Sequence, residues 1–193
     1  GWIYNTLHNY GQSTGLYGQL QYYADRVIAD LNDPTHGRML GMGLTMEGID
    51  QNPVIYELMT DVMWRRQPVD TKKWLRDYAY SRYGIDADEA HSAWSYLDDA
   101  GYAKDLRWYR EGWRGRPNAG VGPSAYDTNE LKFVTVMLDS LASRVKDNPL
   151  LSRDLVDVTK TWLGSIAEAH LAAAIAVFAD DKAAYQKHKE AFF

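Results

Sequence analysis

A glutamate that directly follows a glycine-interrupted apolar segment is the residue best placed for chemistry in this sequence. Residues 38–46, with the sequence RMLGMGLTM, predict a short β-strand, and Glu47 comes immediately after them. In closed parallel barrels the reacting groups project from the carboxyl ends of the strands. A carboxylate at such an end could act as a nucleophile or as a general base. The alternative is that Glu47 is a solvated loop residue.

A second group of polar and aromatic side chains ends the first predicted strand. Residues 2–10, with the sequence WIYNTLHNY, are rich in β-branched and aromatic side chains, which favour strands. In the segment Leu7-His8-Asn9-Tyr10, Asn9 could hydrogen-bond hydroxyl groups and Tyr10 could stack on a sugar or another flat ligand. His8 could take part in general acid–base chemistry. A lone histidine is, however, more often a packed structural group.

The composition excludes several kinds of site. The chain has no cysteine, which excludes disulfides, thiolate zinc sites and cysteine nucleophiles. Its five histidines are scattered, without the spacing of a metal-binding motif. Neither a phosphate-binding or dinucleotide-binding glycine motif nor a Gly-x-Ser-x-Gly motif is present. The sequence therefore predicts no metal and no cofactor.

The charge and hydropathy patterns bear on the partners. The chain has 21 Lys and Arg against 26 Asp and Glu, a net charge of -5. Arginines and tryptophans alternate between residues 107 and 116, as in some nucleic-acid-binding segments, but a single such loop in an acidic chain favours ion pairs or packing. No apolar run approaches the roughly 20 residues that cross a bilayer. We expect no nucleic-acid partner and no membrane span.

The elements that would position Glu47 alternate between strand and helix. After the strand at residues 2–10, apolar residues recur at helical spacing from Leu16 to Leu31. The strand at residues 38–46 follows, and Asn52-Pro53 then predicts the start of a second helix. This alternation predicts parallel strands covered by helices. Two strands cannot form a parallel sheet that is buried on both faces, so we expect the remaining strands outside this chain or in a partner.

From residue 70 onward the pattern predicts helices only. Residues 101–125, which contain the glycines, prolines and arginines of this part, predict a long loop. We place a domain boundary at Gln67-Pro68-Val69-Asp70, which divides the chain into residues 1–68 and 69–193. Capping residues predict that helices begin at Asp70 or Thr71, at Asp86, at Asp127 or Thr128 and at Asp180, while Asn148-Pro149 interrupts the pattern before a long apolar-periodic helix that runs to Phe178.

Four segments of the first part occur in an order and with sequences that resemble glycoside hydrolase family 89, the α-N-acetylglucosaminidases. They are LHNYG at residues 7–11, GLYG at 15–18, GMGLTMEGI at 41–49 and QNPVIY at 51–56. The resemblance is strong over residues 1–84 and thinner beyond. It implies a mixed fold: the last two βα units of a (β/α)8 TIM-type barrel over residues 1–68, then part of an all-α domain over residues 69–193. We therefore expect the chain to be a fragment of a longer polypeptide.

The resemblance also implies roles for individual residues. Glu47 falls on the catalytic nucleophile of a retaining glycosidase, which requires a second carboxyl group about 5 to 5.5 Å away as acid/base. That second glutamate lies on an earlier barrel strand in the family, in sequence outside this chain. Leu7 and Tyr10 fall on positions that line the sugar pocket. Asn9, Asn52 and Tyr56 lie in the same motifs and are further candidates for substrate binding.

The implied substrate is a glycan with a terminal α-linked N-acetylglucosamine, such as heparan sulfate or a mucin-type chain. The implied structural partner is the remainder of the same polypeptide, with its N-terminal barrel strands. A pocket histidine of the family would fall near residues 101–118, where this sequence has arginine and tryptophan. The lack of cysteine and of Asn-x-Ser/Thr acceptors favours an extracellular or periplasmic bacterial protein, whereas eukaryotic relatives are lysosomal.

Another class of function stays open at this point. Trp74, Trp94 and Trp162 lie at core-like spacing in the long helical part. That pattern is compatible with a non-catalytic helical module that binds carbohydrate or another protein. A sugar-binding module would bind N-acetylglucosamine without hydrolysing its glycosides.

Overall fold

The two predicted strands and most of the predicted helices are present in a computed structural model. The structure describes residues 1–8, 15–47, 51–106, 111–114, 122 and 124–192. Within these ranges there are two strands and seven α-helices. They are β1 (Trp2–Thr6), α1 (Leu20–Asn32), β2 (Met39–Leu44), α2 (Pro53–Val62), α3 (Thr71–Tyr83), α4 (Asp88–Leu97), α5 (Thr128–Ala142), α6 (Pro149–Val177) and α7 (Lys182–Phe192). The predicted change from alternating elements to helices alone is confirmed.

The two strands form a parallel pair that is covered on one face. Tyr4 of β1 lies opposite Met42 of β2, and both side chains pack against the hydrophobic core. The other face carries Ile3 opposite Gly41 and Asn5 opposite Gly43. We call this second face the open face, because the Ile3 side chain is 63% exposed and a Cβ at Gly41 would meet nothing within 4 Å.

The covered face of the sheet is packed by α1 and α2. The apolar residues of α1 and α2 recur every three or four positions, as the sequence predicts, and most of them are buried, while Tyr23 and Leu31 are half-buried. Helix α1 begins at Leu20 and not at Leu16, because Gln19 adopts a left-handed backbone conformation with φ 48° that stops the helix from extending further. The members of this core with the least exposure are Leu20, Ala24, Val27, Val54, Ile55, Leu58 and Met59.

The helices after residue 70 form a bundle in which neighbours along the chain pack on one another. Helix α4 packs on α3 and α5, α5 packs on α6, and α6 packs on both α3 and α7. A single hydrophobic cluster runs from the helices under the sheet into this bundle. The strand-bearing part and the helical part are therefore joined by a continuous core.

A buried ion pair fixes the arrangement of three of these helices. The Arg82 guanidinium of α3 donates to both carboxylate oxygens of Asp154 in α6, one of them at 2.6 Å. The Tyr83 hydroxyl also donates to Asp154, at 2.9 Å, and accepts from the Trp94 indole of α4 at 3.0 Å. Removal of either charge would leave the other buried and unpaired, which is costly in the protein interior.

Two of the predicted helix starts, at Asp70 and Asp127, are confirmed by their capping hydrogen bonds, and Asn148 is a further N-cap. The Asp70 carboxylate accepts from the Lys73 amide, and Asp127 caps α5 in the same way. The Asn148 side chain accepts from the amides of Leu150 and Leu151. The sequence therefore predicts a helix start correctly where an N-cap side chain is free to bond to its own first turn.

Two predicted caps are wrong by one residue. Helix α4 has Ala87 as its N-cap, because the Asp86 carboxylate lies 3.2 Å from His91 Nε2 instead. At α7 the Asp181 carboxylate accepts from the amides of Ala183 and Ala184, so Asp181 and not Asp180 caps that helix. The predicted long loop over 101–125 also begins inside a π-helical turn, Asp98–Tyr102, that continues α4.

We expect Asp154→Ala to lower the free energy of unfolding by about 3 to 5 kcal/mol, because it leaves the Arg82 guanidinium buried without its partner. The matched control is Asp157→Ala one turn further along α6, where the carboxylate is one-third exposed and pairs with surface cations. That control should cost less than about 1 kcal/mol. Denaturant unfolding followed by circular dichroism measures both, and equal losses would contradict this role of the ion pair.

Candidate active site

The ends of β1 and β2 bring two of the predicted site residues to the same edge of the sheet. Parallel strands end at one edge, and Leu7 follows β1 directly while Glu47 follows β2 after two further residues. The Thr45 amide donates to the Thr6 carbonyl at 2.9 Å, so the pairing continues past the last ladder residue. The predicted position of Glu47, beyond the carboxyl end of the second strand, is confirmed.

The open face leads directly to this edge. The Asn5 amide reaches across the pair and donates to the Thr45 hydroxyl at 2.6 Å. A Cβ at Gly43 would lie 2.7 Å from the Asn5 side-chain oxygen, so a larger residue at position 43 would displace the Asn5 side chain. Small residues on β2 therefore leave space above the open face, next to the segment that carries Glu47.

Glu47 itself is exposed, as is Met46 before it. The Gln51 side chain donates to the Glu47 carbonyl at 3.3 Å, which ties the end of this segment to its beginning. Residues 48–50 lie outside the described residues. Leu7, on the neighbouring strand end, has 40% of its side chain exposed, as a residue that lines a pocket would.

His8 is a packed histidine and not an exposed acid–base group. Its side chain is 4% exposed, and its ring lies against Tyr17 with the ring centres 4.7 Å apart. The Asn52 amide nitrogen lies 3.0 Å from Nε2. An amide N–H can only donate, so Nε2 accepts and the ring proton lies on Nδ1. Burial lowers the pKa of His8 to about 4, which keeps the ring neutral near pH 7.

Asn52 and Tyr56 support the end of β1 from behind. Asn52 is 4% exposed, and besides His8 its amide donates to the Gly15 carbonyl at 2.8 Å. Its carbonyl oxygen accepts from the Tyr102 hydroxyl at 3.2 Å. Tyr56 is buried in α2, and its hydroxyl bonds to the backbone of His8. A direct contact of Asn52 or Tyr56 with a sugar stays a prediction.

Two other predicted site residues, Asn9 and Tyr10, lie outside the described residues, as does most of the arginine-rich segment. Arg114, the described arginine of that segment, places Nε 3.3 Å from a Glu111 carboxylate oxygen. Its guanidinium also stacks over the Trp113 ring at 5.0 Å. This geometry is that of an ion pair and of packing.

The helical part contributes residues to this site that were not predicted from the sequence. Tyr102 lies in the predicted loop, and nothing in its neighbours indicates that it hydrogen-bonds to Asn52. A crevice beside Asn52 is lined by residues from α6, including Arg153, Asp157 and Lys160. These residues read in the sequence as an ordinary charged helix face. Among the described residues no group of three histidine or acidic side chains could hold a metal ion.

Comparisons with known proteins agree with this arrangement. Residues 1–66 match the family model described as the alpha-N-acetylglucosaminidase (NAGLU) tim-barrel domain, and residues 74–193 match that of the NAGLU C-terminal domain. This chain belongs to the alpha-N-acetylglucosaminidase (NAGLU) family. Human alpha-N-acetylglucosaminidase is 31% identical over 164 residues, which cover 82% of this chain and 22% of the human protein.

Solved structures show the same fold. A family 89 glycoside hydrolase from Clostridium perfringens, in complex with 2-acetamido-1,2-dideoxynojirmycin, has a TM-score of 0.86 at 26% identity and covers 99% of this chain. A structure from the same organism, in complex with its substrate GlcNAc-alpha-1,4-galactose, has a TM-score of 0.82. The NAGLU-family chain described here spans about a fifth of the length of these relatives, 22 to 23%.

None of the helices in the described ranges combines the length and apolar composition needed to cross a membrane.

We expect the environment of His8 to make stability depend on pH. Its pKa is about 4 when folded and about 6.5 when unfolded, so the unfolded chain takes up the proton first as the pH falls. The free energy of unfolding should therefore drop by about 3 kcal/mol between pH 6.5 and pH 4 because of this residue alone. His8→Gln should remove that part of the pH dependence.

The matched control is His36→Gln, since His36 is an exposed histidine. Denaturant unfolding at several pH values compares the three proteins. A His8→Gln profile as steep as that of the unmodified protein would contradict the assignment of a buried, neutral His8.

Proposed function

We propose that this chain carries the nucleophile of a retaining α-N-acetylglucosaminidase, and that the nucleophile is Glu47. The observation that supports it most is positional. Glu47 follows the carboxyl end of a parallel strand, beside the open face, in a segment that matches the barrel-domain model of the family. Carboxyl ends of barrel strands are where such enzymes hold their reacting groups.

The open face supports a barrel interior that other strands complete. A parallel pair with Ile3 and Leu40 more than 60% exposed lacks the cover that parallel sheets require. We propose that residues 1–68 are the last two βα units of a (β/α)8 barrel and residues 69–193 the beginning of the all-α domain. The preceding strands would come from the remainder of the same polypeptide, in agreement with the share of the relatives that this chain spans.

The mechanism follows from the requirement for two carboxyl groups. One Glu47 carboxylate oxygen attacks the anomeric carbon, and the bond from that carbon to the leaving-group oxygen breaks as a carboxylic acid from another barrel strand protonates that oxygen. Water, deprotonated by the same second carboxylate, then displaces the Glu47 oxygen and releases the sugar. Two inversions at the anomeric carbon give net retention of configuration.

The substrate class follows from the same relatives. One was solved with GlcNAc-alpha-1,4-galactose in a form with two glutamates replaced by glutamine. In a two-carboxylate mechanism, replacement of both catalytic glutamates by glutamine would stop hydrolysis and preserve the bound glycan. We propose that Leu7, Tyr10 and Asn9 line the sugar site, and that terminal α-linked N-acetylglucosamine of heparan sulfate or mucin-type glycans is removed. A protein that acts on such glycans would be exported, to an extracellular or periplasmic location.

The alternative of a helical binding module has less support. Its tryptophans are used inside the bundle: Trp94 is buried, and Trp74 stacks on Tyr78 at 5.1 Å between ring centres. These indole faces are therefore covered by other side chains and do not form a sugar-stacking surface.

We expect Glu47→Gln in the complete protein to lower kcat/KM for an aryl α-N-acetylglucosaminide by a factor of roughly 10⁴ or more, since loss of a nucleophile removes the covalent route. The matched control is Glu57→Gln, a half-exposed glutamate in α2 whose carboxylate lies 3.8 Å from the Arg82 guanidinium and not at a strand end. That control should keep activity within a few-fold of the unmodified enzyme.

For the smaller Glu47→Ala variant, added azide should restore turnover and yield a glycosyl azide of inverted configuration, because azide occupies the space left by the carboxylate. Turnover by Glu47→Gln close to that of the control would refute the nucleophile assignment.

A further inference from the structure

Two helices of this chain begin with the same dipeptide, Asn-Pro, but their asparagines are used differently. At the start of α6 the Asn148 side chain caps the helix and accepts from two backbone amides at 2.9 Å each. At the start of α2 the Asn52 side chain makes no cap hydrogen bond. An N-cap bond contributes about 1 kcal/mol to helix stability. Helix α2 therefore lacks a stabilising bond that the asparagine at the start of α6 supplies.

The Asn52 amide instead joins three segments that are distant in sequence. Its nitrogen donates to His8 Nε2 at the end of β1 and to the Gly15 carbonyl before α1. Its oxygen accepts from Tyr102, in the π-helical turn of the helical part. Asn52, His8 and Tyr102 are each less than 5% exposed. Without Asn52 three buried polar groups would lose their partner, at roughly 1 to 3 kcal/mol each.

Residues of the helical part are in close contact with this junction. A Cβ at Gly101, beside Tyr102, would collide with the Leu16 carbonyl oxygen. A Cβ at Gly15 would lie 2.6 Å from both a Glu111 carboxylate oxygen and the Tyr126 hydroxyl. The segment at residues 15–16 is therefore in close contact with both the Asn52 amide and the helical part.

The same amide is connected to the candidate nucleophile through the chain. Asn52 follows Gln51, whose side chain bonds to the Glu47 carbonyl at 3.3 Å. His8, which Asn52 holds, follows Leu7 at the end of the neighbouring strand. Asn52 therefore connects the two strand ends: it bonds to His8 after β1, and its neighbour Gln51 bonds to Glu47 after β2.

We propose that Asn52 is a positioning residue for the hydrolysis: its amide fixes the Leu7 end of β1 relative to the Glu47 segment, and Tyr102 makes that spacing depend on the helical part. The proposal rests on the function proposed for Glu47. It assigns the second domain a part in the chemistry without any contact with the reacting atoms.

Asn52→Asp separates positioning from simple packing, because aspartate has the same shape but no N–H. The carboxylate can still accept from Tyr102, but it can pair with His8 only if Nε2 carries a proton, and it repels the Gly15 carbonyl. The pKa of His8 should then rise into the range from about 6 to 8, since the other titratable side chains against its ring, Tyr17 and Tyr56, are neutral there.

The experiment measures kcat, KM and their pH profiles on an aryl α-N-acetylglucosaminide, in the complete protein. For Asn52→Asp we expect kcat to fall by about 10²-fold, the effect of a small misplacement of reacting groups, with KM changed less than about threefold. Its profile should also gain an ionisation between about pH 6 and 8 that the unmodified enzyme lacks. The matched control, Asn148→Asp, keeps a capping oxygen and likewise loses an amide donor, the one that bonds to the Arg82 and Tyr83 carbonyls, so it should leave kcat and the profile unchanged.

If Asn52→Asp does not fold, Tyr102→Phe tests the positioning role of Asn52, because it removes one hydroxyl from the same junction. It should lower kcat by about tenfold at unchanged KM, because loss of one contact of the junction misplaces the strand ends less than Asn52→Asp does. Unchanged kcat in Tyr102→Phe, or a loss in Asn52→Asp that follows only the folded fraction with an unshifted pH profile, would overturn the proposal. Turnover that survives Glu47→Gln refutes the proposed function instead, in a separate assay.

Discussion

Parallel β-strands need cover on both faces of their sheet, and in this chain the helices cover only one. Helices α1 and α2 pack against Tyr4 and Met42 on one face, while Ile3 on the other face is exposed. A two-stranded sheet of this kind is not stable as a solvent-facing surface. The glycines of β2 lie on the open face, and Glu47 lies beside it. The missing cover agrees with the match of residues 1–66 to a barrel domain.

The helical part provides the rigid support that the sheet lacks. Its core is continuous with that of α1 and α2, and the Arg82–Asp154 pair locks α3 to α6 inside it. From this bundle, Tyr102 reaches the Asn52 amide at the junction. The nucleophile proposed at Glu47 would benefit from such support, because small misplacements of a reacting group are costly in rate. The buried, neutral His8 belongs to this support.

Local sequence signals predicted the fold well where the side chains act on their own segment. Asp70 and Asp127 cap the helices that they were expected to cap. The prediction was wrong where a side chain bonds elsewhere: Asp86 pairs with His91 instead of capping α4. The π-helical turn at Asp98–Tyr102 has no sequence signature of its own, because its bonds depend on the packing of Gly101 against Leu16.

The same distinction holds for the site. The position of Glu47 followed from a strand pattern and its end, both of which are local. The contacts of Asn52 could not be predicted, because Asn-Pro predicts a cap and the distant groups His8, Gly15 and Tyr102 bond to the amide instead. Contacts across 35 or more residues have no trace in a single sequence. Residues 9–14 and 48–50, which flank the two strand ends, lie outside the described residues, so the sugar contacts of Asn9 and Tyr10 stay predictions.

The most direct test of the central claim is to trap the covalent intermediate and locate it. The complete protein is incubated with a fluorinated N-acetylglucosaminyl fluoride that glycosylates the enzyme faster than it is released, then digested and mapped by mass spectrometry. The account predicts one peptide heavier by a single hexosaminyl group, with the modification on the carboxylate of Glu47. A label on any other residue, or a product of inverted configuration with no labelled peptide, would contradict it.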